Sequence, residues 1–176
     1  NKSIIEQMEV KNHQSAFIYM LRHLADNAGI DEHFILTLHA KLMNGIREDA
    51  GVYRSHPVRI AGSNVPTSNF LKLPDLMRAL IKDINKKTVD EIGFAARVHS
   101  RFEQIHPFSD GNGRVGRLLL CAMLMADDFA PTIISQEKRR FYIMYLNQSQ
   151  TDGDYSRLED FICESILDGY QLIENG

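Results

Sequence analysis

A polar, glycine-rich segment runs directly into one of the most apolar segments of this sequence. The polar segment is HPFSDGNGRVGR, residues 106–117, and the apolar one is LLLCAMLMA, residues 118–126. A helix that is apolar on most of its sides has to lie inside a protein core. The pattern predicts such a helix from about Gly113 to Asp128, with the polar loop at its amino-terminal end. Since a rigid core helix fixes its own terminus, the loop is expected to be pre-organised.

Helical periodicity also dominates most of the remaining chain. Apolar residues recur at spacings of three and four, which is typical of helices with one buried face. The other predicted helices cover residues of about 5–27, 31–46, 73–87, 91–105, 137–148 and 155–172. We expect Gly29 to cap the end of the first helix and Asp31 to cap the start of the second, while Thr88 and Glu91 fit a capping box.

One segment, VYRSHPVRIAGSNVPTSNF at residues 52–70, departs from this pattern. Val58 and Ile60 alternate with less apolar neighbours, and the Gly-Ser-Asn sequence at residues 62–64 is typical of a turn. We predict a short β-hairpin, or flap, on an otherwise all-α domain. No repeat, linker or low-complexity segment divides residues 1–176, so a single domain is expected.

The composition excludes several classes of function. The chain has 176 residues, of which 44% are hydrophobic and 24% charged, the balance of a globular domain. The net charge of −3 argues against a nucleic-acid binder. The longest apolar run, residues 118–126, is far shorter than the roughly 20 residues of a membrane-spanning helix, so no membrane association is expected. Cys121 and Cys163 lie in apolar helical patterns, which predicts buried thiols and a cytoplasmic location.

Residues 106–117 allow three interpretations. The first is a polar connection between two helices, with glycines that only serve the turn. The second follows from GNGRVG, which satisfies the dinucleotide pattern G-x-G-x-x-G, but that pattern needs a preceding strand and the residues before it are helical by period. The third is an anion site. The first N–H groups of a helix have no partner within the helix and lie at the positive end of its dipole, which suits phosphate.

The side chains around this helix terminus favour the third interpretation. Arg114 and Arg117 are three residues apart and can reach phosphate oxygens from one face. Asp110 would repel phosphate unless a divalent cation lay between them, which implies Mg²⁺. His106 precedes the loop and could take a proton from an incoming hydroxyl group. This combination of residues indicates phosphoryl or nucleotidyl transfer.

The same twelve residues resemble the signature of Fic-domain proteins, HPFx(D/E)GNGRxxR, at every position. The resemblance extends to Gly51-Val52-Tyr53-Arg54, which is similar to the family's segment leading into its flap. It implies a Fic-type helical bundle with a core of about residues 30–168, preceded by a helix over residues 1–28. It also implies a protein adenylyltransferase, which transfers AMP from ATP to a Ser, Thr or Tyr hydroxyl of a target protein and releases pyrophosphate.

The resemblance assigns roles to individual residues. His106 would be the general base and Asp110 the Mg²⁺ ligand. The backbone of Gly111, Asn112 and Gly113, with the Asn112 side chain, would hold the α- and β-phosphates. Arg114 would bind the β- and γ-phosphates, and Arg117 would support the γ-phosphate.

Two further regions are assigned by the same resemblance. The flap would pair with the backbone of the target by strand addition, and its expected residues are Val58, Ile60, Asn64 and Asn69. The adenine pocket would lie on the helix that follows the motif helix, where Tyr142, Leu146 and Gln150 are the candidates. Ordinary amphipathic packing is the alternative for those three. His99 is expected to pack or hydrogen-bond locally on its helix and not to bind a metal.

Many relatives restrain themselves with an inhibitory helix, (S/T)xxxE(G/N), whose Glu pairs with the arginine at position 117 here. Neither end of the chain matches that pattern in full. Tyr170 stands where Ser or Thr is expected before Glu174-Asn175, and Glu6–Val10 resembles the helix that follows the inhibitory one. We therefore expect the inhibitory helix outside this chain, and ATP binding with self-modification. A Glu174–Arg117 contact would contradict this hypothesis.

Alternatives to AMP transfer remain open at this point. One is transfer of UMP, phosphocholine or phosphate, or removal of AMP, on the same site. Another is a nucleotide-binding module without catalysis. The expected partners are a protein substrate, with the chain itself as one candidate, and a homodimer is also compatible with the sequence.

Overall fold

A computed structural model of the chain describes residues 3–60, 62–86 and 88–174. The regular structure in these residues is helical. The helices are α1 (Ile4–Ala25), α2 (Glu32–Leu42), a 3₁₀ turn (Phe70–Lys72), α3 (Leu73–Ile84), α4 (Glu91–Ile105), α5 (Asn112–Ala126), α6 (Arg139–Thr151) and α7 (Ser156–Glu174). The all-α prediction is confirmed, and each predicted helix has a counterpart at nearly the predicted place.

The helix ends differ from prediction where a different residue provides the cap. Asp31 begins α2 as predicted, since its carboxylate accepts a hydrogen bond from the backbone N–H of Phe34 at 2.7 Å. The cap of α4 is Asp90, which accepts from Gly93 at 3.0 Å, so the predicted Thr88–Glu91 box is not used. After α1 the left-handed conformation is adopted by Asn27, with φ of 52°, and not by Gly29.

Helix α5 lies at the centre of the bundle. It packs against α1, α2 and α4, and α4 also contacts α3, α6 and α7. From Leu118 to Leu124 every residue of α5 is buried, including Leu119 and Leu120 on neighbouring faces. A helix buried on all sides cannot shift without disturbing the whole core, because protein interiors are close-packed. The amino-terminal end of α5 is therefore held in place by the fold.

The predicted β-hairpin flap over residues 58–69 is wrong. The described residues between 52 and 70 contain no strand and form an irregular loop. Two prolines account for this difference. Pro57 and Pro66 lie at the start of one limb and within the other, and neither has the backbone N–H that a ladder of strand pairing requires. The alternation of Val58 and Ile60 reflects half-burial of this loop and not a pleated strand.

This loop is held together by side-chain hydrogen bonds and not by the backbone pairing of a strand ladder. The Thr67 hydroxyl donates to the carbonyl of Val58 at 2.7 Å and joins the two limbs. The Ser63 hydroxyl donates to the Asn147 amide oxygen on α6 at 2.9 Å, while it accepts from the N–H of Val65. The loop is consequently docked on α6.

The two cysteines lie in different surroundings. Cys121 is buried in α5 as predicted, whereas Cys163 is exposed on α7, so the prediction of two buried thiols is wrong for Cys163. Both are free thiols. Among residues 3–60, 62–86 and 88–174, no helix combines the length and the apolarity that a bilayer span requires.

A buried asparagine joins α1 to the end of α2. The Asn12 amide nitrogen donates to the carbonyls of Leu42 at 3.2 Å and Asn44 at 2.8 Å. These carbonyls lie at and beyond the carboxyl end of α2, where helical partners run out. Asn12 thereby provides donors that the helix itself cannot supply.

We expect Asn12→Ala to lower the free energy of unfolding by about 1–3 kcal/mol, because it leaves buried carbonyls without donors. Urea denaturation followed by circular dichroism measures the change. Lys11→Ala, at the exposed neighbouring position, is the matched control and should shift stability by less than about 0.5 kcal/mol. Equal effects of the two substitutions would contradict this role of Asn12.

Candidate active site

The loop from His106 to Gly111 connects α4 to α5 and has a left-handed residue at each end. His106 closes α4 with φ of 53° and ψ of 61°, and Gly111 opens α5 with φ of 78°. A side chain at Gly111 would be strained by this φ and would also approach the Met43 sulfur at 2.9 Å. A non-glycine residue such as His106 adopts this conformation only when its surroundings hold it there.

Asn112 closes the loop from inside. It is 2% exposed, and its side chain accepts from the N–H of Phe108 and donates to the carbonyl of Phe108, both at 2.8 Å. Both polar atoms of the Asn112 side chain are therefore bound to the loop. In this conformation a phosphate can be contacted by the backbone N–H of Asn112, while its amide group holds the turn.

His39 on α2 braces the same loop, although its sequence position was assigned no role. Its Nδ1 accepts from the N–H of Gly51 at 2.8 Å, so its Nε2 carries the proton and donates to the carbonyl of Asp110 at 3.1 Å. The ring stacks on Phe108 with 3.7 Å between centroids. Burial lowers the pKa of His39 to about 4, which keeps the ring neutral at pH 7.

Arg54 is the third brace. It is 3% exposed, and its guanidinium donates to the carbonyls of His106 at 2.8 Å, His56 at 2.7 Å and Ser68 at 2.6 Å. Its own backbone N–H donates to the carbonyl of Pro107 at 3.0 Å. One buried cation thus binds both limbs of the 52–70 loop to the residue that ends α4.

The imidazole of His106 has a defined tautomer. Its Nδ1 lies 3.1 Å from the carbonyl of Glu103, and a carbonyl only accepts, so Nδ1 carries the proton and Nε2 keeps its lone pair. Burial lowers the pKa of His106 below its ordinary value of 6.5, and the nearby Arg54 lowers it further. At neutral pH, His106 is therefore a neutral base with Nε2 available.

His106 lines a cavity of about 840 Å³ that reaches from α1 to α6. The cavity brings together most of the residues selected from the sequence. Those in its wall are Ile60, His106, Asp110, Gly111, Asn112, Gly113, Arg114, Arg117, Tyr142, Leu146 and Gln150. The flap candidates Val58, Asn64 and Asn69 are not in its wall, and Asn64 and Asn69 are exposed. Three α1 residues that the sequence did not single out, Glu9, Val10 and His13, also line it.

Arg114 is held by carboxylates on two sides. Its guanidinium forms an ion pair with Glu9 of α1 at 2.9 Å and lies 3.8 Å from the carboxylate of Asp110. Asp110 in turn accepts a hydrogen bond from the N–H of Gly111 at 2.6 Å. A negatively charged ligand at the α5 terminus would meet Arg114 already ordered by these contacts.

Arg117 is oriented by a chain of buried hydrogen bonds. His99 Nδ1 donates to the carbonyl of Gly116 at 3.1 Å, so its Nε2 must accept from the Tyr142 hydroxyl at 2.7 Å. The tyrosine oxygen is then left to accept from the nearby guanidinium of Arg117, which acts to lower the pKa of Tyr142. Burial lowers the pKa of His99 to about 4, consistent with this neutral form. His99 was expected to pack or hydrogen-bond locally on its own helix, but its partners Gly116 and Tyr142 lie on α5 and α6.

The three adenine candidates lie together on α6 at one side of the cavity. Tyr142 and Leu146 are buried, and the Gln150 amide nitrogen donates to the carbonyl of Ser100 at 2.9 Å, which leaves its amide oxygen free of that bond. Glu174 is exposed at the end of α7, and within the described part of the chain no hydrogen bond or ion pair joins it to Arg117. Asn175 lies outside the described residues.

Asp110, the predicted Mg²⁺ ligand, presents an exposed carboxylate at the α5 terminus. Its side chain is 59% exposed and lines the cavity beside the free N–H groups of the helix. No group of three or more His, Cys, Asp or Glu within the described residues could hold a metal ion. A single carboxylate suits Mg²⁺, which is usually bound by one or two carboxylates together with substrate phosphates and water.

Glu103 lines the cavity but was not among the residues predicted from the sequence. It lies one turn before His106 on α4, is 5% exposed and lines the cavity, and its Oε1 atom has no hydrogen-bond partner. Burial raises the pKa of Glu103 to about 7, against the opposing effect of Arg117. Its spacing of three from His106 places both on one helix face, which was the available signal.

Comparison with known proteins agrees with this geometry. The sequence profile of the Fic/DOC family matches residues 29–124, which is more than half of the chain. The chain belongs to the Fic/DOC family. It is 33% identical to a protein named protein adenylyltransferase Fic from Nematostella vectensis, over 96% of this chain and 41% of that protein. The chain thus spans about two-fifths of the length of that relative.

Solved Fic structures have the same fold. Fic-1 from C. elegans superimposes with a TM-score of 0.87 at 26% identity, covering 99% of this chain and 54% of that one. A Fic-domain signaling protein from Bacteroides thetaiotaomicron has a TM-score of 0.87 at 24% identity, covering 98% of this chain and 73% of that one. The second likeness concerns the fold alone.

We expect Arg54→Lys to lower the free energy of unfolding by roughly 2–3 kcal/mol, because an ammonium group cannot reach three carbonyls arranged for a guanidinium. Thermal and urea denaturation measure the loss. Arg59→Lys, at an exposed position of the same loop, is the control and should have little effect. A wild-type stability in Arg54→Lys would show that this brace is dispensable.

Glu103 should make stability depend on pH. Because its pKa is about 7 in the folded protein and 4.5 in the unfolded chain, its contribution is full below pH 4.5 and is lost as the pH rises through 7. Relative to Glu103→Gln, the wild-type protein should lose on the order of 3 kcal/mol between pH 4.5 and 8. Urea denaturation at several pH values measures this difference.

The buried histidines titrate in both proteins, so the difference between wild type and Glu103→Gln isolates the carboxyl group. Glu48→Gln replaces an exposed carboxylate and serves as the control. Parallel pH profiles for wild type and Glu103→Gln would contradict the elevated pKa.

Proposed function

We propose that this chain is a protein adenylyltransferase, which moves AMP from ATP to a hydroxyl group on a protein. The observation that supports this most directly is the shared cavity. A neutral His106 with an available Nε2 lies in the same wall as the amino-terminal N–H groups of α5 and the side chains of Arg114 and Arg117. The name of the Nematostella relative, protein adenylyltransferase Fic, agrees with this activity for that protein.

In the proposed reaction, the target hydroxyl oxygen attacks the α-phosphorus of ATP. A new oxygen–phosphorus bond forms, and the bond from the α-phosphorus to the bridging oxygen of the β-phosphate breaks, so that pyrophosphate leaves. His106 Nε2 takes the hydroxyl proton, which makes the oxygen a better nucleophile. The contribution of the protein is mainly positioning and charge stabilisation, as expected for transfer at phosphorus.

The remaining residues have proposed roles that follow from charge. The backbone N–H groups of Asn112 and Gly113 bind phosphate oxygens at the positive end of α5. Arg114 and Arg117 bind the β- and γ-phosphates, and Asp110 holds Mg²⁺. When bound there, Mg²⁺ neutralises phosphate charge and supports the departure of pyrophosphate. Tyr142, Leu146 and Gln150 form the side of the cavity proposed for the base.

We expect His106→Ala to reduce AMP transfer by at least about 100-fold, which is the lower range for loss of a general base. The assay uses ATP labelled at the α-phosphate, with Mg²⁺ and the purified chain alone or with cell lysate. Label bound to protein is then measured, and mass spectrometry identifies the modified hydroxyl.

His33→Ala, an exposed histidine on α2, is the matched control and should transfer AMP like the wild type. Undiminished transfer by His106→Ala would exclude the proposed base. Protein labelling from γ-labelled ATP, with none from α-labelled ATP, would show phosphate transfer and contradict the proposed function.

A further inference from the structure

Within the described residues, two side chains of the cavity wall, Glu103 and Ser109, have a buried polar atom without a hydrogen-bond partner, and Glu103 is the ionisable one. His99, Asn112 and Ser149 are each buried and each fully engaged in hydrogen bonds. Glu103 is equally buried, yet its Oε1 has no partner and its side chain belongs to the cavity wall. An unpartnered carboxyl group in such a place is unfavourable for folding alone. This suggests that a ligand of the cavity completes its contacts.

The carboxyl group lies against the first two turns of α5. A Cβ atom added to Gly116 would be 2.2 Å from Glu103 Oε1, and one added to Gly113 would be 4.0 Å from it. Only a glycine at position 116 leaves room for the carboxyl group in this position. Glu103 is thus directly beside the helix terminus whose N–H groups are proposed to bind phosphate.

The charges around Glu103 come from every element that surrounds the cavity. They are Arg114 and Arg117 on α5, His99 on α4, His106 and Asp110 in the loop between α4 and α5, Tyr142 and Arg139 on α6, Glu9 and His13 on α1, and Arg59 in the 52–70 loop. The pKa of Glu103 is lowered by Arg117 but raised more strongly by burial, and it ends at about 7. In the empty cavity both the ionised and the neutral forms are therefore accessible near neutral pH.

A bound triphosphate would favour the neutral form of Glu103 over the ionised form. Its negative charge repels a carboxylate, and most strongly one that is as buried as Glu103. It also takes up the positive charge of Arg117, which favours ionised Glu103. A neutral carboxylic acid, by contrast, can donate a hydrogen bond to a phosphate oxygen.

We infer that Glu103 is a proton-accepting residue of the phosphate site, and that binding of the nucleotide triphosphate converts it from carboxylate to neutral acid. One proton passes from solvent to the Glu103 carboxyl group for each nucleotide bound at high pH. This inference rests on the proposed function, because it requires phosphates at the α5 terminus. It makes Glu103 a binding residue that acts in its protonated form.

Isothermal titration calorimetry tests the inference without a catalytic assay. Mg-ATP is titrated into the chain at pH 8 in buffers with different enthalpies of ionisation, which reports the number of protons taken up. We expect about one proton per ATP for the wild type, and an affinity that falls by up to about tenfold for each pH unit above 7. Glu103→Gln should take up no proton and should bind with little pH dependence.

Two variants that each remove an imidazole from the cavity test whether a histidine takes up the proton. His106→Ala and His13→Ala should take up protons like the wild type if Glu103 is the acceptor. Circular dichroism shows whether each variant is folded, and the wild-type measurement itself depends on no substitution.

The outcomes separate this inference from the proposed function. ATP binding without proton uptake by the wild type, or equal uptake by Glu103→Gln, contradicts the inference and leaves the proposed function standing. Loss of uptake in His106→Ala or His13→Ala assigns the proton to an imidazole and also contradicts it. Absence of Mg-ATP binding contradicts both.

Discussion

The site depends on one constraint, the burial of α5 immediately after its first turn. The residues from Leu118 to Leu124 pack on all sides, so this helix has a single position in the core. Its first turn nevertheless opens into a cavity and keeps N–H groups free of helical partners. The apolar half of the helix therefore fixes the place and direction of the polar half. A loop on the surface of the bundle would not hold an anion site as firmly.

Three contacts, two of them from distant parts of the chain, extend that rigidity to the loop before α5. Asn112 closes the turn on Phe108, His39 holds the carbonyl of Asp110, and Arg54 holds the carbonyl of His106. Each contact binds backbone and leaves the side chains of Asp110 and His106 available to the cavity. Since His106 is in the left-handed conformation, its position requires these contacts as well as its place at the end of α4.

Sequence patterns predicted the helices well, because apolar periodicity depends on near neighbours, and the structure brings most of the residues selected for the site into one cavity wall. Apolar periodicity is a property of single helices, and residues 106–117 carry most of the site within twelve positions. The predictions that failed concern tertiary surroundings. Pro57 and Pro66 prevent strand pairing in a loop whose alternation resembled a hairpin. Cys163 faces solvent because the buried stripe of α7 passes through its neighbours Ile162 and Ile166.

The contacts of His39 and Arg54 with this loop could not be predicted from residue spacing, because they join residues far apart in the chain. His39 and Asp110 are 71 positions apart, and Arg54 and His106 are 52 apart. Only the place of His39 beside Leu38 and Leu42, on the buried face of α2, indicated an interior role. No local pattern indicates which carbonyl a buried histidine or arginine will bind, so contacts of this kind emerge from the packed structure.

Glu103 and Gly116 illustrate how a position without an assigned role can still be constrained. Position 116 is one of the three variable positions in the resembled signature, yet here its lack of a side chain decides whether a carboxyl group can lie beside the phosphate site. Glu103 is shielded from water in the space beside Gly116, and in that position it also lies close to the charge of a bound ligand. A buried acid in that position responds to the ligand through its protonation, since repulsion in a cavity of low dielectric is strong enough to shift a proton equilibrium. His106 also remains neutral because burial disfavours its charged form, but burial lowers the pKa of an imidazole and raises that of a carboxyl group. The pKa values of these two residues, which lie at the carboxyl end of α4, are therefore shifted in opposite directions by the same environment.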